Sequence, residues 1–194
     1  METVVEINAI DIVYGRHARR ALPLIDAGFS RDDIHARTGS LVGVANASLT
    51  LGRGEIVVLM GLSGSGKSTL LRAVNGLAPV VRGDVEVLTE DGVINPYTAS
   101  AKALRALRAR SVSMVFQQFA LLPWLSVAEN VGLGLELSGV PKRERRERIE
   151  EQLALVNLSD WADSPIDALS GGMQQRVGLA RAFATGAPIL LMDE

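Results

Sequence analysis

The amino-acid sequence predicts an α/β fold, and three observations carry that prediction. Residues 55–60 (EIVVLM) are a short, continuous apolar run rich in β-branched side chains, the pattern of a strand buried on both faces. The run passes through GLSGSGKST into LLRAVNGL, which reads as a helix closed by Gly76. Residues 189–192 (ILLM) repeat the buried-strand pattern and end in two acids, Asp193 and Glu194. Together these elements predict a parallel-rich core sheet flanked by helices.

Composition agrees with one compact domain. The chain has 194 residues, 47% of them apolar and 22% charged, which is ordinary for a globular protein. The absence of cysteine excludes disulfides and cysteine-ligated zinc. The two histidines, His17 and His35, have basic and polar neighbours and read as solvent-facing rather than metal-binding. A formal net charge of −2 gives no general attraction to nucleic acid, and no nucleic-acid partner is expected. No apolar run approaches the roughly 18 residues of a membrane span, and the start METVVEINAIDIVYG lacks the shape of a secretory signal. The expectation is a cytoplasmic protein whose membrane contacts run through partners.

The remaining elements follow in order. Residues 4–13 alternate loosely and read as an edge strand reaching Tyr14 and Gly15. Residues 16–43 read as a small helical insertion: Ala21, Leu22 and Ile25 suit one apolar helix face, and Ser30 followed by Asp33 is a capping-box-like start for a second helix. Residues 85–88 and 93–94 flank the turn Glu90-Asp91-Gly92 and predict a hairpin. Residues 99–109 look helical and 111–116 look like a strand. From Pro141 to about Val156 runs a charged helix with Ile149, Leu153 and Val156 on one face and Glu144 placed to pair with Arg148. Its mixed signs make the charge run a solvated face rather than an RNA-binding tract.

Gly61-Leu62-Ser63-Gly64-Ser65-Gly66-Lys67-Ser68 fits the pattern G-x-x-x-x-G-K-[ST], between a strand and a helix as that pattern requires. Glycines let the backbone wrap a polyphosphate with N–H groups inward, and the helix that follows offers its unpaired amides and positive dipole end. Lys67 would reach the β- and γ-phosphates, and the Ser68 hydroxyl would ligate Mg²⁺. The ligand implied is a nucleoside triphosphate, with Thr69 completing the phosphate-binding set from Gly61. The acids Asp193 and Glu194 at the end of an apolar strand complement this loop. Asp193 would hold Mg²⁺, and Glu194 would take a proton from the attacking water.

Leu169-Ser170-Gly171-Gly172-Met173-Gln174-Gln175-Arg176 precedes an apolar helix. A Ser-Gly-Gly turn at a helix start is a second anion site, with a hydroxyl and free amides. One chain around one triphosphate does not obviously need two such sites, whereas a symmetric dimer would use both. Here the sequence resembles the ABC ATPases, whose signature begins LSGG. That resemblance implies ATP as substrate, a P-loop NTPase fold with a RecA-like core, an antiparallel β edge and a helical subdomain over about 119–170. It also implies a head-to-tail homodimer in which Ser170, Gly171, Gly172, Met173 and Gln174 face the opposite subunit's ATP.

Met114-Val115-Phe116-Gln117-Gln118 resembles the glutamine loop of the same family, which places Gln117 on Mg²⁺ and the attacking water; Gln118 competes for the role. Phe119 and Trp124 suit either a partner surface or the subdomain's own core. Tyr14 occupies the place of the family's adenine-stacking aromatic, although here the insertion separates it from the phosphate loop. A plain strand-end aromatic is the competing reading.

The insertion, together with GEIVVLMGLSGSGKSTLLRAVNGL, resembles the ATP subunits of bacterial importers for glycine betaine, proline betaine and choline. The resemblance implies two permease subunits, an extracytoplasmic substrate-binding protein and a peripheral location on the cytoplasmic face of the inner membrane. Members of that family continue past the Asp-Glu pair, so the 194 residues read as a nucleotide-binding domain incomplete at its C-terminus. Two alternatives remain in view. One is a truncated module that binds ATP without hydrolysing it. The other is a soluble ABC ATPase acting on DNA or ribosomes, against which the chain shows neither long coiled-coil segments nor a basic face.

Overall fold

The computed structural model describes Glu2–Asp193, and the chain forms two compact units that meet in sequence at Leu107/Arg108. Glu194 lies outside the described residues, so the assignment of that side chain rests on sequence alone.

The first unit is built on a four-stranded antiparallel sheet. Its strands are β1 (Thr3–Tyr14), β2 (Leu41–Gly52), β3 (Val80–Thr89) and β4 (Gly92–Ile94), in the order β2-β1-β3-β4. The segment expected to be an edge strand is therefore a central one, with β2 on one side and β3 on the other. Val5, Ile7, Ile10, Ile12 and Val13 of β1 are all buried, and pairing on both sides leaves the backbone of β1 no solvated edge. A bulge interrupts the ladder at Asn8–Asp11, where Ala9 adopts φ 45°. The predicted hairpin forms at Thr89–Gly92.

Between β1 and β2 the predicted insertion folds as a 3-10 turn (Ala18–Ala21) and two short helices, α1 (Leu22–Asp26) and α2 (Arg31–Thr38). Ser30 caps α2: its hydroxyl accepts from the Asp33 amide (3.1 Å) and donates to the Asp33 carboxylate (2.6 Å). Val13, Ala21, Ile34 and Val42 form a buried cluster that seats both helices on the sheet. Helix α3 (Lys67–Val74) follows the glycine-rich loop, and α4 (Ala101–Ala106) ends the unit.

Residues 55–60 depart from expectation. They join no ladder among the described residues, and Ile56 and Met60 are each 89% exposed. Apolar patterning registers a preference for burial, but a strand buried on both faces needs parallel neighbours, and the first unit's four strands pair only antiparallel. The antiparallel sheet is accordingly the larger one, and among the described residues parallel pairing is found in the second unit.

There, β5 (Val112–Val115) and β6 (Ile189–Met192) form a parallel pair in the register Val112↔Ile189 to Val115↔Met192. β6 was expected to be buried throughout. It is buried on one face only, through Ile189 and Leu191, while Leu190 and Met192 are exposed. Helices α5 (Val127–Leu137), α6 (Lys142–Leu155) and α7 (Gly171–Ala184) pack around Val127, Val131, Leu153, Leu158, Leu169 and Val177. The Ser126/Glu129 capping box starts α5. Leu153 of α6 and Val156, the residue that follows the helix, face this core with Ile149 packed beside them, and the Glu144–Arg148 pair forms at 2.6 Å. No described helix is long and apolar enough to cross a membrane.

Candidate functional site

In the first unit the glycine-rich loop, residues 61–66, turns into α3 at Gly66, which has φ 103°. A Cβ there would run into the Gly43 carbonyl oxygen, so this position admits only glycine on two independent grounds. The turn leaves the first amides of α3, from Lys67 through Thr69, without intrahelical acceptors. The Lys67 ammonium lies back across the loop and donates to the Gly61 carbonyl (2.9 Å) and the Leu62 carbonyl (3.0 Å). The Ser65 amide closes a turn onto the Leu62 carbonyl at 3.2 Å. Both of these partners of Lys67 are neutral carbonyls, and an anion can displace them readily, since charge-assisted bonds are roughly twice as strong as neutral ones.

Tyr14 is brought to this loop despite the 26 residues of the insertion and loops between β1 and β2. The register Ile12↔Val44 and Tyr14↔Leu41 returns the chain beside its starting point. A Cβ on Gly43 would lie 3.1 Å from the Tyr14 ring and 3.1 Å from the Thr69 methyl, so ring, loop base and helix start converge there. Tyr14 is 38% exposed, leaving ring surface for a ligand.

In the second unit, β5 and β6 run parallel, so Gln117 and Asp193 leave the same end of the pair, and the Asp193 amide donates to the Val115 carbonyl at 3.0 Å. Asp193 is buried and Gln117 is exposed. The turn after Gln117 is unusual: Phe119 (φ 58°) and Ala120 (φ 48°) are both left-handed and neither is glycine. Arg181 of α7 donates to the carbonyls of both, at 2.6 and 2.7 Å, and burial pushes its guanidinium pKa below the ordinary value. Nothing in the sequence reading marked Arg181. Its only local signal is a cation on the apolar helix that follows the signature.

The signature turn opens α7. Ser170 is the N-cap, its hydroxyl accepting from the Met173 amide at 3.4 Å, and Gly171 and Gly172 are exposed with open space where side chains would project. The Gln174 side chain turns inward and donates to the carbonyls of Ile166 and Leu169, both at 3.1 Å, which fixes the approach to the turn. Also missed in the sequence was Asn130. Fully buried on α5, it accepts from the Leu122 amide (2.8 Å) and donates to the carbonyls of Leu122, Leu125 and Ser126. It thereby pins the loop that holds Trp124 out at 74% exposure, while Phe119 is half-buried near Gly178 of α7.

Comparison with known proteins gives this chemistry a family. Residues 44–194 match the family described as ABC transporter. The glycine betaine/proline betaine transport system ATP-binding protein ProV of Escherichia coli K12 is 46% identical over 194 residues, covering 100% of this chain and 48% of ProV. The glycine betaine/carnitine transport ATP-binding protein GbuA of Listeria monocytogenes is 44% identical over 98% of this chain and 47% of its own length. Among solved structures, the dimeric post-hydrolysis state of the ATP-binding cassette MJ0796 with ADP and phosphate superposes with a TM-score of 0.77 at 31% identity, over 97% of this chain and 72% of that one. The chain belongs to the ABC transporter family. It spans about half the length of the curated relatives it matches.

The residues present fit ATP and magnesium. The Gly66 cradle, which a side chain would fill, leaves the α3 amides open to phosphate oxygens. In the second unit, Gln117 and Asp193 offer one neutral oxygen and one carboxylate, donors suited to an ion that keeps phosphate and water oxygens in its shell rather than one caged by protein alone.

Proposed function

We propose that this chain is the ATP-binding and ATP-hydrolysing part of an importer for glycine betaine, proline betaine or choline. The observation that carries the reading is 46% identity to ProV across the whole chain, the insertion at 16–43 included, whereas the family match itself begins only at residue 44. That extra likeness favours the importer over a soluble ABC ATPase or a module that only binds nucleotide.

In this reading the amides of residues 61–69, those of Leu62, Ser63 and Ser65 among them, and the Lys67 ammonium bind the phosphates, and Tyr14 stacks on the adenine. Ser68, Gln117 and Asp193 hold Mg²⁺, which supplies neutralisation of charge on the phosphate oxygens. Glu194 accepts a proton from the water that attacks the γ-phosphate, Gln117 orients that water, and Lys67 stabilises the charge that develops. Ser170, Gly171, Gly172, Met173 and Gln174 of a second copy close over the same ATP; the solved cassette resembling this chain is itself dimeric. Closure and opening of the pair would drive two permease subunits, fed by an extracytoplasmic binding protein, from the cytoplasmic face of the inner membrane. Trp124, held out by Asn130, is the side chain best placed to meet a permease.

The test is Glu194→Gln in the assembled transporter. ATP binding should persist while steady-state hydrolysis and betaine uptake are lost. Hydrolysis at the unchanged rate would overturn the assignment of Glu194.

A further inference from the structure

The insertion between β1 and β2 reaches the glycine-rich loop through the side chain of Arg31. Arg31, the first residue of α2, sends its guanidinium across to the loop and donates to the carbonyls of Gly64 (3.0 Å), Ser65 (3.2 Å) and Gly43 (3.2 Å). Two of these acceptors lie in the loop, and the third is the carbonyl against which Gly66 packs. The geometry points to Arg31 as a positioning residue for phosphate binding, with the insertion serving as its brace; this rests on the reading of residues 61–69 as an ATP site.

The physical reason lies in the peptide plane. In a trans peptide the C=O and the following N–H point in opposite directions. Fixing the Ser65 carbonyl on Arg31 therefore turns the Gly66 amide away from Arg31. Fixing the Gly64 carbonyl does the same for the Ser65 amide, which points at Leu62 on the other limb of the loop. Lys67 holds that other limb through Gly61 and Leu62. When Lys67 leaves those carbonyls for a phosphate, Arg31 still holds the outer side, so the loop need not be ordered at the moment of binding. An arginine suits the task because its planar fork offers several donors in fixed directions, which a lysine does not.

The brace itself is anchored away from the loop. Arg82 on β3 donates to both oxygens of Asp26 in α1 (2.9 and 2.7 Å) and to the fully buried Asp11 of β1, which also accepts from the Asn46 amide at 2.9 Å. The hydrogen bond from Arg82 is the main cause that lowers the Asp26 carboxyl below its usual range. The guanidinium of Arg37 stacks on Phe29 at 4.3 Å, closing the link between the two helices. Ile34, on the inner face of α2, is buried in the cluster with Val13 and Val42. Each contact limits how far α2 can move relative to the sheet, and Arg31 passes that restraint to the loop.

The experiment compares wild type, Arg31→Met and Arg31→Lys in the purified protein, by titration with ATP and by amide hydrogen exchange without nucleotide. Arg31 is solvent-exposed, so Arg31→Met is expected to fold with the wild-type circular dichroism spectrum and melting temperature. The expected result is ATP binding weaker by about tenfold in Arg31→Met, with partial recovery in Arg31→Lys. Amides of residues 64–67 should exchange faster in Arg31→Met, while those of Val13 and Val42 in the β1–β2 ladder keep their protection. Unchanged ATP affinity in Arg31→Met would overturn the proposal, as would loss of protection spread evenly over β1 and β2. Were wild type to bind no ATP, the functional reading would fall, and loop exchange alone would still decide whether Arg31 orders residues 64–67.

Discussion

Two loops of this protein are each held by one arginine, and they are held for different reasons. The glycine-rich loop carries its conformation in its own sequence: Gly66 adopts φ 103°, which glycine enters without penalty, and Arg31 adds only orientation from an exposed position. The turn after Gln117 carries no such instruction. Phe119 and Ala120 are both left-handed, a state that costs roughly 1–2 kcal/mol per L-residue, and half-buried Arg181 compensates by binding both carbonyls. In one case the local sequence sets the backbone and the arginine refines it. In the other the arginine imposes a backbone the local sequence would not choose.

That contrast can be broken at either end. The largest effect is expected from Gly66→Ala, which places a methyl group against the Gly43 carbonyl and forces φ away from 103°. ATP affinity measured by titration should fall by more than about a hundredfold, because the amides at the start of α3 are displaced. Next comes Arg181→Met, which keeps the stem but removes both carbonyl partners. Chemical denaturation should show a loss of about 2–3 kcal/mol, with hydrolysis falling further than ATP binding, because Gln117 rather than the phosphate loop is disturbed. The smallest effect is expected from Ala120→Gly, which removes a left-handed penalty and should stabilise by about 0.5–1 kcal/mol. Combined with Arg181→Met, it should recover part of that loss in a double-mutant cycle.

The same contrast explains what was legible in the sequence. GLSGSGKS and LSGG are short, contiguous patterns in which residue type dictates backbone geometry, so the glycine-rich turn, the Ser-Gly-Gly turn and the helices that follow them could be read directly. The β3–β4 hairpin and the charged face of α6 were legible for the same reason, being set by local turn chemistry and periodicity. The central place of β1 was not, because pairing partners far along the chain decide it: the buried Asp11 meets Arg82 and Asn46, neither visible from β1 alone. Residues 55–60 carry a buried-strand pattern yet join no ladder among the described residues, because apolarity reports a preference while a ladder requires neighbours. Arg31, Asn130 and Arg181 were invisible because each acts on backbone groups, which carry no side-chain identity. For Arg31 and Arg181 those groups also lie far away in sequence.

In the proposed mechanism two anion cradles, the glycine-rich loop with Lys67 and the Ser170 turn, clasp one ATP from facing copies of this chain. Light scattering on the Glu194→Gln protein with and without ATP tests it most directly. The mass should double on adding ATP, and Ser170→Phe should abolish the doubling while binding of ATP to the single chain persists. A mass indifferent to ATP, or a dimer that forms equally well with Ser170→Phe, would contradict it.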